Sequence, residues 1–336
     1  MLPLKQLDYL PDALLTATPQ TLHQFFPHPT LIHLSGKDPH PLFVSILLHG
    51  NETTSFLAIQ ALLKKYRQQQ LPRALTIFLG NTVAASKGLR RLDGQADFNR
   101  IWPGTELAAC AETRLASEIF EIMKRRDLFA SIDIHNNTGL NPHYACVNKQ
   151  DDHYLQLARL FSRLVVYFLH PTGVQSMAFS TLCPAVTVEC GHSGQQQGTD
   201  HALEYLNSCL HLTKLADHPV LPQDIDLFNT VAVVKISPKL KFSFEDRNAT
   251  LLLDPEIERM NFTEIPIGTR FGIVNQSEDI PLLVFEEKGQ CVTDKFFTLE
   301  NNQLLIRRKM MPSMLTLDER VIKQDCLCYL MERIDL

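Results

Sequence analysis

Two short motifs place side chains of metal-binding type close together. His49 and Glu52 form an H-x-x-E pair in HGNE (49–52), and a His and a Glu three residues apart at a strand-to-helix turn can point at one ion. His135 stands in DIHNNTG (133–139), at the end of another apolar run, and supplies a third donor. Two imidazoles and one carboxylate suit Zn²⁺ at about 2.0–2.2 Å and leave a fourth position open for water. Asp133 lies two residues before His135, on the same side of an extended chain, where its carboxylate can orient the ring. Glu189 follows the run AVTV (185–188). A carboxylate there is costly unless used or paired; a zinc hydrolase needs a base that takes a proton from the attacking water and passes it to the leaving amine. The loop GLRRLDGQADFNR (88–100) carries Arg90, Arg91 and Arg100, planar forks suited to carboxylates and carbonyls. Each feature also has a structural reading: histidines that bond to backbone at strand ends, a glutamate in an ion pair, arginines that face solvent.

These residues need elements to bring them together. FVSILL (43–48), LTIFL (75–79), ASIDI (130–134) and the run beginning at 185–188 read as buried strands. Residues 52–69, 105–126, 152–168 and 199–216 read as helices, the second opened by Thr105 with Glu106 in its first turn. The alternation predicts an α/β fold, a mixed, mostly parallel sheet with helices on both faces. In such sheets ligands bind beyond the carboxyl ends of the strands. His49, Asn81, His135 and Glu189 each follow a strand, so four polar side chains should emerge at one edge.

The pattern changes after Asp217. DHPVLPQD (217–224) reads as a linker. VAVVKI (231–236), KFSF (241–244), GIVN (272–275), LLVFEE (282–287) and LLIRR (304–308) then read as short strands of a smaller, mostly β domain. The expected division is a catalytic domain at 1–218 and a C-terminal β domain at 225–336.

Composition narrows the function classes. Of 336 residues, 45% are hydrophobic and 21% charged, which excludes wholesale disorder. Thirty-two Lys+Arg against 37 Asp+Glu give a net charge of −5, so no basic surplus points to nucleic acid. No apolar run reaches the 18 or so residues that span a bilayer, and MLPLKQLDYLPDALL has no signal-peptide pattern. Eight scattered cysteines read as reduced thiols of a cytoplasmic protein. The CxC at Cys326 and Cys328 lacks the second pair that a zinc knuckle requires.

The ordered set HGNE, GLR with DFNR, DIHNNTG, and VECG with a later Gly198 and Ala202 resembles the succinylglutamate desuccinylase/aspartoacylase family, which belongs with zinc carboxypeptidases of the M14 type. The resemblance covers roughly residues 40–205. It implies a zinc carboxypeptidase-like fold, and one Zn²⁺ per chain held by His49, Glu52 and His135, with Glu189 as general acid/base. It further implies that Asn99 and Arg100 grip a substrate carboxylate and that Arg90 polarises the scissile carbonyl. Arg91 is a substitute for Arg90, because the family's spacing to D-x-N-R is one residue shorter. The implied activity is hydrolysis of an amide bond in a small carboxylate-bearing substrate, an N-acyl amino acid or short peptide. Rival readings are a metallocarboxypeptidase acting on peptides or peptidoglycan stems, and a catalytically silent carboxylate-binding protein. Aspartoacylases carry another arginine about ten residues before the catalytic Glu; MAFSTLCPAVTVE (177–189) has none, so an acidic side chain in the substrate is not implied. The apolar strands of the C-terminal domain suit a homo-oligomer interface as well as a channel wall.

Overall fold

The structure is a computed structural model describing residues 2–237, 239–275, 279–286 and 289–335. The chain divides into two compact units. The first takes in the chain up to Asn136 together with His143–Asp226; the second takes in Asn137–Pro142 and Leu227–Asp335.

The strands of the first unit are β1 (Lys5–Leu7), β2 (Thr30–Leu34), β3 (Gly36–Ile46), β4 (Leu71–Leu79), β5 (Ala130–Asn137), β6 (Tyr144–Val147), β7 (Leu164–Tyr167) and β8 (Ala185–His192). Their spatial order is β1-β2-β4-β3-β5-β8-β6-β7. The pairs β1–β2, β3–β4, β3–β5 and β6–β7 are parallel, and β2–β4 and β6–β8 are antiparallel. The helices are α1 (Asp12–Thr16), α2 (Thr54–Lys65), α3 (Thr82–Ser86), α4 (Ala111–Lys124), α5 (Asp152–Arg159), α6 (Gln175–Phe179) and α7 (Gln196–His211).

Strand alternation decides which face each helix covers. Phe43 and Phe78 share one face, since Phe43 pairs with Thr76 and Ser45 with Phe78. There Phe43 stacks on Phe179 of α6 with centroids 4.4 Å apart. Phe120 of α4 and Trp102 meet Phe179 edge-on, and Trp102 also meets Phe78. Arg73, of opposite parity on β4, reaches the other face, where its Nη2 donates to the Leu212 carbonyl just past α7. The sheet is therefore mixed, mostly parallel and covered on both faces.

Several predicted elements differ. The helix expected over 105–126 begins at Ala111. Thr105 spends its hydroxyl in a turn, donating to the Arg100 carbonyl and accepting from Leu107 N, while Cys110 and Thr113 cap α4 reciprocally. The helix expected over 152–168 stops at Arg159, and Leu164–Tyr167 joins the sheet beside β6, as its adjacent valines favour. Strands β5 and β8 run on to Asn137 and His192, so His135 and Glu189 lie within strands rather than beyond them.

In the second unit, β9 (Asp226–Ile236) is flanked by β13 (Leu282–Glu286) and β17 (Cys328–Ile334), and β17 pairs with β16 (Met311–Ser313). A second sheet has the order β10-β11-β12-β15-β14, formed by Phe242–Ser243, Leu251–Leu253, Arg270–Val274, Gln303–Ile306 and Phe297–Glu300 respectively. Phe271 and Phe297 meet edge-on in its core. The expected strand at 282–287 ends at Glu286; Glu287, like Leu336 of the expected C-terminal domain, lies outside the described residues. All eight cysteines are free. Among the described residues no helix is long and apolar enough to cross a membrane.

Phe179 is fully buried between a strand, a helix and Trp102. Phe179→Ala is expected to cost roughly 3–5 kcal/mol, read as a lowered denaturant midpoint; an unchanged midpoint would refute this packing.

Candidate active site

His49 and Glu52 lie in the connection between β3 and α2. The chain leaves β3 through Leu47, which adopts φ 53°, a left-handed conformation that costs a β-carbon-bearing residue roughly 1–2 kcal/mol. Two bonds hold it there: Leu47 N donates to Ser55 Oγ and Asn81 N donates to the Leu47 carbonyl. Gly50 N donates to the Arg90 carbonyl, and a β-carbon on Gly50 would fall 2.2 Å from Ala85 N and 2.6 Å from the Leu89 carbonyl oxygen. The glycine thus admits the 88–100 loop to the histidine. At the other strand end, a β-carbon on Gly198 would sit 2.3 Å from the Cys190 carbonyl oxygen, so its absence lets α7 approach β8 beside Glu189.

The Glu52 carboxylate lies between two imidazoles. Its Oε1 is 2.8 Å from His49 Nδ1, and its Oε2 is 2.7 Å from His135 Nδ1. Asn136 N adds a bond to Oε2. Each ring meets a second carboxylate through its other nitrogen. His49 Nε2 is 2.9 Å from Asp97 Oδ1, and His135 Nε2 is 2.8 Å from Asp133 Oδ2. Asp133 is fixed in turn by Ser45 Oγ, which donates to Oδ1. Arg90 donates from Nε to Asp97 Oδ2 and brings Nη1 to 3.6 Å from Glu52 Oε1. All of these groups except Arg90 and Asp97 are buried.

The electrostatics follow from that packing. Burial alone would raise the Glu52 carboxyl, but the His49 and His135 rings outweigh it and hold the group well below the usual carboxylate range. Asp97 behaves alike: burial is overcome by His49 and Arg90. Burial disfavours a charged His135, yet Asp133 and Glu52 push its pKa well above the ordinary imidazole value. Glu189 goes the other way. Burial, with the like charges of Glu52 and Asp133, raises it to about 7 against the pull of His135 and His49.

The structure therefore brings His49, Glu52, His135, Asp133, Arg90 and Glu189 into one electrostatic cluster. Arg91 points elsewhere, donating to the Gln95 carbonyl. Asn99 is buried, with Nδ2 3.1 Å from His135 Nε2 and Oδ1 accepting from Gln175 N. Arg100 donates to the Asn99 carbonyl, and its charge reaches Asp97. Two contributors were missed in the sequence. Asp97 is part of the D-x-N-R element already singled out, and its signal was present there. Asn136 donates to Thr54 Oγ1 and to the Gly191 carbonyl and accepts from Thr54 N, tying β5, α2 and β8 together; only its place in DIHNNTG marked it.

The donor set fits a divalent ion. One ligand atom from each of His49, Glu52 and His135 lies within 4.8 Å of the others. Both rings are backed by carboxylates, the pattern that fixes a metal-binding imidazole and strengthens it as a donor. The sequence profile of the succinylglutamate desuccinylase/aspartoacylase catalytic domain matches residues 42–211, half of the chain, and the chain belongs to that family. No curated protein matches it. Among solved structures, it resembles the succinylglutamate desuccinylase of Chromobacterium violaceum at 17% identity and TM-score 0.59, with 91% of this chain and 89% of that one covered. Murine aminoacylase 3 follows at 14% identity and TM-score 0.57, covering 89% and 97%. The product-bound ectoine utilization protein of Ruegeria pomeroyi gives 16% and 0.55, covering 90% and 88%. At these identities the likeness is one of fold.

Asp97→Asn keeps the size of the side chain but removes the charge that faces His49 and Arg90. Zinc affinity, measured by competition with a chelator, is expected to fall roughly 10- to 100-fold. Unaltered affinity would show that Asp97 does not support the ring.

Proposed function

We propose that this protein is a zinc-dependent hydrolase that removes the acyl group from a small N-acyl amino acid. The observation that carries the reading is the Glu52 carboxylate held between two imidazoles, each backed by its own carboxylate, with Glu189 close by. His49, Glu52 and His135 would hold one zinc per chain. When bound, zinc would supply Lewis acidity to water and to the scissile carbonyl.

The protein's own groups have the remaining work. Glu189, with its pKa near 7, is poised to accept a proton from the attacking water and return it to the leaving nitrogen. Arg90 reaches the edge of the cluster, where its guanidinium would oppose negative charge on the former carbonyl oxygen. Arg100, which also donates to the Asn99 carbonyl, would receive a substrate carboxylate. Asn99, engaged by His135 and Gln175, would join that grip only by exchanging a partner. Residues 1–218 would carry this chemistry and 225–336 form a separate β domain. The free cysteines support a reducing, cytoplasmic setting.

Elemental analysis of the purified protein should find one zinc per chain, lost in His49→Ala and His135→Ala. With zinc present, a panel of N-acyl amino acids should yield free amino acid. Release of C-terminal residues from peptides instead would assign a carboxypeptidase, and zinc without any hydrolysis would leave a binding protein. Glu189→Gln should retain zinc while kcat drops by about 10²–10⁴; a variant that turns over normally would remove Glu189 from the mechanism.

A further inference from the structure

Asn99 is buried, and both ends of its side-chain amide have neighbours. Gln175 N, at the first residue of α6, donates to Oδ1 over 2.9 Å. Nδ2 is thereby turned toward the metal cluster, where it lies 3.1 Å from His135 Nε2. The two ends of an amide differ in kind: the oxygen accepts and the nitrogen donates. A reversed amide would set its nitrogen against the Gln175 N–H, donor against donor. The Gln175 N–H therefore decides that Asn99 presents a donor to the cluster. The ring meets that donor poorly. His135 Nε2 also faces Asp133 Oδ2 at 2.8 Å, an acceptor that keeps a proton on Nε2 and leaves no lone pair there for the amide.

Gln175 is itself fixed to the strand that carries the cluster. Its side chain is fully buried, and Nε2 donates to Ser131 Oγ over 2.8 Å. Ser131, Asp133 and His135 are alternate residues of β5 and so share one face of the strand. Gly173 adds a second tie, since its carbonyl accepts from Trp102 N. Gly173 has φ 73°, and a β-carbon there would lie 2.6 Å from the Arg100 carbonyl oxygen, so a glycine is what lets the two loops meet. Residues 173–175 thus hold Asn99 and Arg100 against the strand of the metal ligand.

We propose that Gln175 is a positioning residue for substrate: its N–H orients the Asn99 amide so that Nδ2 donates to the carboxylate of an acylated amino acid. The carboxylate replaces the His135 ring as the neighbour of Nδ2, while Oδ1 keeps the Gln175 N–H. The inference rests on the reading of the substrate as a small N-acyl amino acid.

The test uses the full chain with zinc, carrying Glu189→Gln so that no turnover occurs, titrated calorimetrically with N-acetyl-L-alanine and with its uncharged carboxamide. Gln175→Pro deletes the N–H at a place that suits proline: the first position of a helix tolerates it, and Val174 before it is already extended at φ −84° and ψ 152°. Gln175→Ala keeps the N–H. The preference for the acid over the carboxamide is expected to fall roughly tenfold in Gln175→Pro and to persist in Gln175→Ala. General damage to the fold would weaken both probes together and leave their ratio unchanged. A second measurement needs no substitution at 175. The first N–H of a helix has no acceptor within it, so the Gln175 N–H of ¹⁵N-labelled protein should exchange slowly with solvent and lose that protection in Asn99→Ala. The proposal is overturned if Gln175→Pro and Gln175→Ala keep the same preference, if acid and carboxamide bind alike before substitution at 175, or if Asn99→Ala leaves the exchange of the Gln175 N–H unaltered. Absence of hydrolysis across a panel of N-acyl amino acids would instead overturn the reading of the function and leave these outcomes legible.

Discussion

One carboxylate group organises the catalytic unit. Glu52 is buried, and burial works against its charge. It stays ionised because His49 from its own connection and His135 from β5 meet it on both oxygens. Remove either ring and a buried charge loses its compensation, the costliest way to damage such a group. Residues 83 positions apart in the chain are thereby committed to one point. Strands β3 and β5 must be parallel neighbours for this to happen, and they are.

The rest of the local structure serves that convergence. The left-handed Leu47 turns the chain so that His49 and Glu52 face the same point, and Ser55 and Asn81 hold the turn. Gly50 admits the arginine loop, which delivers Arg90 and Asp97. Asn136 fastens three elements with a single side chain. Below the site, Phe43, Phe179, Trp102 and Phe120 interlock, so the strand ends rest on a close-packed base that resists displacement.

Much of this was legible because apolar runs followed by polar residues mark strand ends, and ligand chemistry restricts which residues converge there. HGNE and DIHNNTG carried both signals. Asp97 escaped because its role depends on tertiary contact: sequence spacing does not show that the loop folds back through a backbone bond from Gly50 to Arg90. Strand β7 escaped because LARLFSRLVVYF is apolar at helical and extended spacing alike, and a four-residue strand is settled by its neighbour β6. Thr105 looks like a helix cap in isolation, but its hydroxyl is taken by the Arg100 turn. For Asp97 and β7 a partner distant in sequence overrode a sound local preference, and for Thr105 a competing local turn did so.

Charge balance explains why the cluster suits a dication better than protons alone. Around the two rings stand Glu52, Asp97 and Asp133, with Arg90 as the adjacent fixed cation. With these carboxylates ionised and both rings neutral, negative charge exceeds that of the nearby guanidiniums, Arg90 and Arg100. Burial works against a charged His135, but Asp133 and Glu52 favour it, which accounts for its upward shift. A divalent ion would offset that negative charge while leaving the rings neutral, as donors to a metal must be. Asp97 and Asp133 therefore do more than steer the imidazoles: their charges also favour a cation at this point. Glu189, raised by burial and by the like charges of Glu52 and Asp133, is kept from ionising fully, which is what allows a carboxyl group in this position to exchange a proton near neutrality.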